Sequence, residues 1–589
     1  MRSTRGLRAA RAAAWLGASA ALMAGPALAQ TEAVATAPTN APAPASAAPA
    51  PQPSEVMAIN LIHLLVKQGV ITQAAADSLI QEAQKETDQA RLASASSGAA
   101  ETPPPAGVIR VPYIPQVVQE QIQDNVKKDV VAQAKAEGWA NAGEIPSWIH
   151  RFSFFGDFRF RDEFDIFSNS NDAPYIDYAT LNANGPIDVN ADTNPNGLPF
   201  LNTRTNRYNQ LSLRARLGMN VDIFQGVKFT ARLASGNDNS PVSTTQLLGG
   251  GLTKDAIWLD EAYLTLTPTY WGSVEFGRFP NPFFHTSLQF DDNLNFDGVA
   301  ATANRSLGQQ GLSVFGTAGV IPVGYVGNNF PTTDALKAGD RTGWLFAGQV
   351  GAQFQPDELS WSVKGAVAFY GYDNIQGELS APCDIWDGNK FCSTDQTRPA
   401  FMQKGNTLFF IRDIIPNPAS PEDYAEPQFA GLAYNYNILD LLVQGEMPLF
   451  GTTRGQLQGE LVHNFSYNPS AILSNPLTPP ITNFGENGAY QSGPNAWMVK
   501  ATVGYINPGT KGDWQLVVGY KYIEPDAVLD AFNDHDFHMG GTNAKGYFIT
   551  AAYYFANNTW IDGRWFSANE VYGPPLAIDV LQLELNTRF

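Results

Sequence analysis

The sequence predicts an all-β transmembrane barrel of about 16 antiparallel strands, within a range of roughly 14 to 18, preceded by a short α-helical segment. Three observations indicate this fold. From Trp148 onward apolar residues recur at every second position, which is the period of a β-strand. Many of the alternating runs extend well beyond the five or six residues usual in soluble sheets. Short, turn-like connections alternate with long ones, as in barrels that cross an outer membrane.

Residues 1-29 have the composition of a cleaved secretory signal peptide. Four arginines precede an apolar run that ends in Ala27-Leu28-Ala29, a small-residue cleavage pattern. The run is short and is broken by glycine and proline, which favours cleavage over a single-pass anchor. We therefore expect the mature chain to lie outside the cytoplasm.

Residues 30-147 are predicted to alternate linkers with short helices. Residues 30-53 form an Ala/Pro-rich linker, 54-93 a helical hairpin, 94-107 a second linker and 108-147 a periplasmic helix. The last helix carries a narrow apolar stripe of valine and isoleucine spaced four residues apart. Such a stripe suits a helical oligomer or packing along the rest of the chain, and the sequence leaves both open.

The barrel domain, residues 148-589, contains sixteen strand candidates. In the first, Phe158 and Phe160 alternate with Arg159 and Arg161, so one face is apolar and the other is charged. A soluble sandwich also alternates, but its strands are shorter. The candidates lie near 148-165, 206-224, 226-236, 256-268, 271-279, 294-304, 311-319, 341-355, 359-372, 429-450, 453-467, 495-506, 513-523, 544-555, 558-567 and 577-589.

The chain ends in an alternating strand, "LQLELNTRF", whose last residue is Phe589. An even number of strands returns the C-terminus to the side of the N-terminal helices. Closure then pairs the last strand with the first and places the terminal aromatic in the interfacial girdle. The strand count is uncertain by about two, because residues 429-450 hold either one long strand or two.

Composition excludes one broad class of partner. The formal net charge is -19 with only 37 Lys and Arg residues, so the chain has no overall basic attraction for nucleic acid. Aromatic residues make up 12% of the sequence, which is high for a secreted polar protein and suits a lipid-facing surface.

Several segments together resemble the putative porins of Gram-negative outer membranes, which are barrels preceded by a periplasmic helical segment. They include "IRVPYIP", "FFGDFRFRDEF", "WLDEAYLTL", "GRFPNPF" and "YIEPDAVLDAF", in this order. The resemblance implies an outer-membrane channel for passive diffusion of small hydrophilic solutes. It also implies that the barrel assembly machinery recognises Phe589 as an assembly signal, although Thr587 departs from the alternating pattern. General-porin precedent favours a homotrimer.

Five arginines occupy inward positions on the first three strands and are predicted to line the pore as a basic wall. The alternative is that some of them pair with inward acids such as Asp157, Glu163 and Asp222, because barrel lumens are polar by necessity. The five are Arg159, Arg161, Arg214, Arg216 and Arg232.

The connection "FPNPFFHTSLQFDDNLNFDG" is predicted to fold into the pore, as the third loop does in general porins. Its acids Asp291, Asp292 and Asp297 would then face the arginines across a constriction. The alternative places these acids at the outer rim.

The two cysteines, Cys383 and Cys392, lie in the longest loop and are predicted to form a local disulfide in an oxidising compartment. The segment "DAFNDHDFHMGG" gathers acids and histidines that suit calcium or a transition metal, but its spacing fits no loop motif. An acidic outer rim explains it equally well. We expect no metal site and no cofactor.

Two other functions remain as alternatives. The barrel is a structural anchor if the periplasmic helices bind peptidoglycan or a partner protein. It is a rim-active hydrolase if serines and acids at the barrel mouth converge, but no GxSxG segment accompanies the six histidines.

Overall fold

The structure is a computed structural model that describes residues 148–589, apart from 173, 196, 237–239, 309–310, 327–340, 357–360, 389 and 422–423. The predicted signal peptide, both linkers and the N-terminal helices lie outside the described residues. Within the described part of the chain, no helix is both long and apolar enough to cross a membrane.

Sixteen long strands follow one another along the described part of the chain. They are Phe152–Phe167 (β1), Arg207–Phe224 (β2), Val227–Ser235 (β3), Ile257–Thr269 (β4), Gly272–Pro280 (β5), Asn295–Ser306 (β6), Leu312–Gly324 (β7), Gly343–Phe354 (β8), Ser362–Asp373 (β9), Asn437–Phe450 (β10), Thr453–Asn464 (β11), Asn495–Gly504 (β12), Trp514–Ile523 (β13), Ala544–Ala556 (β14), Thr559–Asn569 (β15) and Ile578–Arg588 (β16).

These strands close into one antiparallel barrel. Each pairs with the strands before and after it, and β16 also pairs with β1. A two-residue strand, Gln246–Leu247, extends the pairing of β2. The predicted sixteen-stranded antiparallel barrel is therefore confirmed, and the segment 429-450 contributes a single barrel strand, β10, after the short Ala430–Leu432.

Side chains alternate between the lumen and the outer surface, as the two-residue period requires. In β1, Phe158 and Phe160 are exposed on the outside, whereas Arg159 and Arg161 are buried on the inside. The outer face therefore meets lipid with apolar groups, and the inner face carries the charges.

The connections differ between the two ends of the barrel. One end carries the loops L1 (168–206), L2 (236–256), L3 (281–294), L4 (325–342), L5 (374–436), L6 (465–494), L7 (524–543) and L8 (570–577). The other end carries the connections 225–226, 270–271, 307–311, 355–361, 451–452, 505–513 and 557–558. In the two-residue turn after β2, Gly226 has a φ of 81°, a conformation that suits glycine.

The described loop residues contain little regular structure of their own. They include the short helices Tyr178–Leu181 (α1) and Pro469–Ser474 (α2) and single 3-10 turns at Asp395–Thr397 and Phe537–Met539, and a further 3-10 turn at Ile149–Arg151 precedes β1. In L5, Leu408–Phe410 pairs with Ala430–Leu432. The positions of the loops therefore depend on contacts with the barrel and with one another.

An aromatic cluster fixes L3 inside the barrel. Phe290 of L3 packs edge-to-face on Tyr370 of β9 and on Phe296 of β6, with ring centroids 5.0 and 5.3 Å apart. Phe283 packs on Tyr370 at 5.4 Å. Each such pair contributes about 0.5–1.5 kcal/mol beyond its buried area, so the cluster holds L3 firmly against the wall.

Candidate functional site

L3 crosses the interior of the barrel. It leaves the wall between β5 and β6, yet its Thr286 hydroxyl donates to Glu460 of β11. Ser287 Oγ accepts a 2.8 Å hydrogen bond from Lys521 of β13. Near its other end, Asn293 Oδ1 accepts a 3.2 Å bond from Arg214 of β2. A loop that reaches three separate parts of the wall narrows the lumen.

Arg214 and Arg216 face L3 from β2 and share one carboxylate. Asp157 of β1 accepts from Arg214 Nε at 2.9 Å and from Arg216 Nε at 2.7 Å. Asp157 and Arg216 are direct cross-strand partners, so the register itself brings them together. Two guanidinium groups against one carboxylate leave a net positive charge beside L3.

The charges around Arg232 of β3 differ from those around Arg214 and Arg216. Its Nη2 lies 2.6 Å from Asp260 and 2.7 Å from Glu261, both on β4. Two carboxylates against one guanidinium leave a net negative charge. The five predicted arginines therefore do not form a uniformly basic wall.

Arg159 and Arg161 are buried beneath loop residues. They therefore do not line an open path, as the sequence analysis predicted they would. Arg161 donates to Glu584 of β16 at 2.6 Å and to Asp536 of L7 at 2.8 Å, and its side chain is 3% exposed. Arg159 donates to Thr245 of L2 at 2.5 Å and is 5% exposed. Loop residues bury both guanidinium groups, so these two arginines attach L7 and L2 to the wall.

The three predicted constriction acids have separate surroundings. The side chain of Asp292 is 85% exposed within L3 and lies 3.8 Å from His285. Asp291 is buried and contacts L7 rather than the arginines. Asp297 is not in the loop, because it lies on β6 and pairs with Arg278 at 3.2 Å. Of the three, the structure leaves Asp292 as the acid that L3 presents openly.

His535 joins L3 to L7. Its Nδ1 lies 2.5 Å from Asp291 Oδ2, and its backbone N–H donates to the same oxygen over 3.2 Å. Burial alone would lower the pKa of His535, but the carboxylates of Asp536 and Asp291 raise it to about 9. The imidazole is therefore charged at neutral pH and binds the two loops together.

We expect the contact between L3 and L7 to weaken at alkaline pH. The folded pKa of about 9 lies above the ordinary value of 6.5, so stabilisation is complete below about pH 6.5 and is lost as the pH rises through 9. The shift corresponds to on the order of 3 kcal/mol. Single-channel recordings should show more current fluctuation at about pH 10 than at neutral pH, because L3 is then less firmly held.

Lys404 supplies the control for this experiment, because burial lowers its pKa to about 8 and it titrates in the same range. His535→Gln should remove most of the alkaline response, and Lys404→Met should retain it. An unchanged response in His535→Gln would exclude His535 as the titrating group.

The acids and histidines of "DAFNDHDFHMGG" divide between two places. Asp534 and His535 converge with Asp291, with possible metal-ligand atoms within 4.8 Å of one another, and Asp536 lies beside His535 and binds Arg161. His538 instead accepts from Lys404 at 2.8 Å through Nδ1 and donates to the Leu576 carbonyl at 2.6 Å through Nε2. Sequence reasoning missed Lys404, because no local pattern connects it to L7.

Cys383 and Cys392 form a disulfide within L5. They are nine positions apart, so the bridge closes a short segment and constrains the unfolded chain only modestly. We expect the double change Cys383→Ser and Cys392→Ser to leave the heat resistance of the folded barrel nearly unchanged. Gel mobility after stepwise heating measures this, and failure of the variant to fold would contradict a purely local role.

Sequence comparison identifies the family. The profile of a family described as "Putative porin" matches residues 55–589. The chain belongs to the putative porin family. No curated protein matches it significantly. Membership in this family and the closed barrel make the protein an outer-membrane channel for solute diffusion. Family and fold are those of a channel rather than an enzyme.

The chain is also similar to several solved barrels. OprB of Pseudomonas putida is 12% identical with a TM-score of 0.36, covering 74% of this chain and 94% of that one. The channel DcaP of Acinetobacter baumannii is 12% identical with a TM-score of 0.34, covering 74% and 97%. OmpT of Vibrio cholerae without its loop L8 is 10% identical with a TM-score of 0.35, covering 74% and 99%. Sequence identities of 10 to 12% show a similarity of fold alone.

Proposed function

We propose that small hydrophilic solutes cross the outer membrane passively through this barrel, past a constriction between L3 and the paired arginines of β2. The observation that carries the proposal is the path of L3. The loop is held by β11, β13 and β2, and it contacts Arg214 directly through Asn293. A polar passage bounded by a fixed loop selects solutes chiefly by size.

The charges beside L3 support only weak ion preference. Arg214, Arg216 and Asp157 leave one net positive charge, and L3 adds the negative charge of the exposed Asp292, which interacts with Lys500 of β12. Charges farther away than about 8 to 10 Å are largely screened at physiological salt. The overall charge of -19 therefore contributes little to the field at the constriction.

Liposome swelling with purified protein and sugars of increasing size tests the proposal. We expect swelling that falls off with sugar size, both for the full chain and for a chain without residues 30–147. A structural anchor would give no swelling in either form. If only the full chain conducts, the N-terminal segment forms part of the pore and the proposed path must be revised.

The proposal extends to location and partners. Both β1 and β16 reach the end of the barrel opposite the long loops, so the N-terminal segment is assigned to the periplasm and the loops to the cell exterior. The barrel assembly machinery would act on the strand that ends in Phe589, and outer-membrane lipid would contact the apolar outer face. Native mass spectrometry in detergent tests the homotrimer suggested by general-porin precedent.

A further inference from the structure

Two carboxylates beneath L3 are not accounted for by the constriction, although one of them, Glu460, accepts the Thr286 hydroxyl that anchors L3 on β11. Asp440 of β10 and Glu460 of β11 both point into the lumen, and each residue is 1% exposed. Asp440 lies opposite Val462, and Glu460 lies opposite Leu442, so the two acids are diagonal neighbours on adjacent strands. They are close enough for a hydrogen bond if one of them carried a proton.

These carboxylates are poorly partnered for groups so deeply buried. Both oxygens of Asp440 and the Oε1 oxygen of Glu460 accept no hydrogen bond from the residues that the structure describes, while Glu460 Oε2 accepts from Thr286 of L3. Among the described residues, no lysine, arginine or histidine lies within ion-pair distance of either acid. An unpaired buried charge costs several kcal/mol, so the pair needs either a proton or a compensating positive charge.

A buried hydroxyl provides a second, independent observation. Tyr370 of β9 is 0% exposed, and within the described part of the chain its Oη has no hydrogen-bond partner. Its ring is held by Phe283 and Phe290 of L3. Ala368 is the cross-strand partner of Asp440, which places Tyr370 diagonally beside that acid, and its hydroxyl is exposed to the charge of both carboxylates.

We propose that Asp440 and Glu460 bind a divalent cation of the calcium or magnesium class, with the hydroxyl of Tyr370 at the edge of the site. All the available donors are oxygens, which such hard cations prefer. Two carboxylates also match the double positive charge. The oxygen of Thr286 lies next to the site through its bond to Glu460, so the cation would help to fix L3 on β11.

The nearby lysines do not replace the cation. Lys521 is engaged by Asp534 and by Ser287 Oγ. Lys500, the cross-strand partner of Gln458, is a diagonal neighbour of Glu460 and acts on its charge, as Lys521 does, but neither lysine forms an ion pair with it among the described residues. A single shared proton would join the two carboxylates, but it would leave the remaining acid oxygens and the Tyr370 hydroxyl without partners.

Calorimetric titration of the full-length protein in detergent with calcium, and separately with magnesium, tests the site. After treatment with a chelator, the wild type should bind one cation per chain. Asp440→Asn and Glu460→Gln, which keep the side-chain shape, should each weaken binding by at least about tenfold. Glu446→Gln is the matched control, because Glu446 also lies inward on β10 but pairs with Arg454 of β11. It should bind as the wild type does.

The wild-type titration decides the question even if a variant fails to fold. Absence of calcium and magnesium binding by the wild type would overturn the site in favour of a shared proton. Equal binding by the wild type and by folded Asp440→Asn would place the cation elsewhere and would also overturn it. Neither measurement depends on conductance, so the result is independent of the proposed channel function.

Discussion

Deletion of Phe589 is expected to reduce folded barrel in the outer membrane to a minor fraction of the wild-type level. Phe589 and Gly156 of β1 exchange two backbone hydrogen bonds, each 3.0 Å long. The Phe589 ring also packs on Gly156, where an added Cβ would lie 2.7 Å from the ring. Deletion removes these contacts at the seam that closes the barrel and leaves part of an edge unpaired. Immunoblots of outer-membrane fractions measure the effect.

Three further variants distinguish a specific defect where β16 pairs with β1 from general destabilisation of the barrel. Phe589→Tyr keeps the aromatic and both backbone bonds, and it should assemble nearly normally. Gly156→Ala should reproduce part of the defect, because the new methyl group meets both the Phe589 ring and the Arg216 carbonyl oxygen. Leu252→Ala, at a fully exposed position in L2, should have no effect. Normal levels of the truncated chain would refute the role of the terminus.

The strands of the barrel wall can be predicted from sequence because the backbone of a strand directs successive side chains alternately to the lipid and to the lumen. Phe158 and Phe160 face outward and Arg159 and Arg161 face inward, as their alternation requires. A register slip of one residue would exchange the two sets, so the pattern selects both strand and register. This is why the sixteen predicted strands all correspond to strands in the structure.

The lumen is less predictable because its contacts join distant segments. Arg161 meets Asp536, which lies 375 positions further along the chain, and no local pattern relates the two. Asp291 turns away from the arginines because L7 folds beside L3 and brings His535 to it. In contrast, the pairing of Asp157 with Arg216 follows from strand register, and the sequence allowed for it as an alternative to a bare basic wall.

Changing both Arg214 and Arg216 to Ala is expected to shift ion preference toward cations and to raise conductance. The wild-type group carries one net positive charge, because Asp157 compensates only one of its two guanidinium groups. The double variant leaves Asp157 unpaired, so the local charge becomes negative. In a narrow pore with low-dielectric walls, the nearest charges dominate the potential. Reversal potentials in a salt gradient across a planar bilayer measure the preference, and single-channel currents measure the conductance.

A triple variant that adds Asp157→Asn separates charge from volume. It should return the reversal potential toward zero preference, because no charge remains in the group. It should keep the raised conductance, because the bulky arginine side chains are still absent. Arg214 also donates a hydrogen bond to Asn293 of L3, and both variants lose this bond. Any resulting mobility of L3 would appear as current fluctuation in both variants rather than as a change in ion preference. If the double variant changes neither the reversal potential nor the conductance, the permeation path does not pass these arginines, and the constriction lies elsewhere along L3.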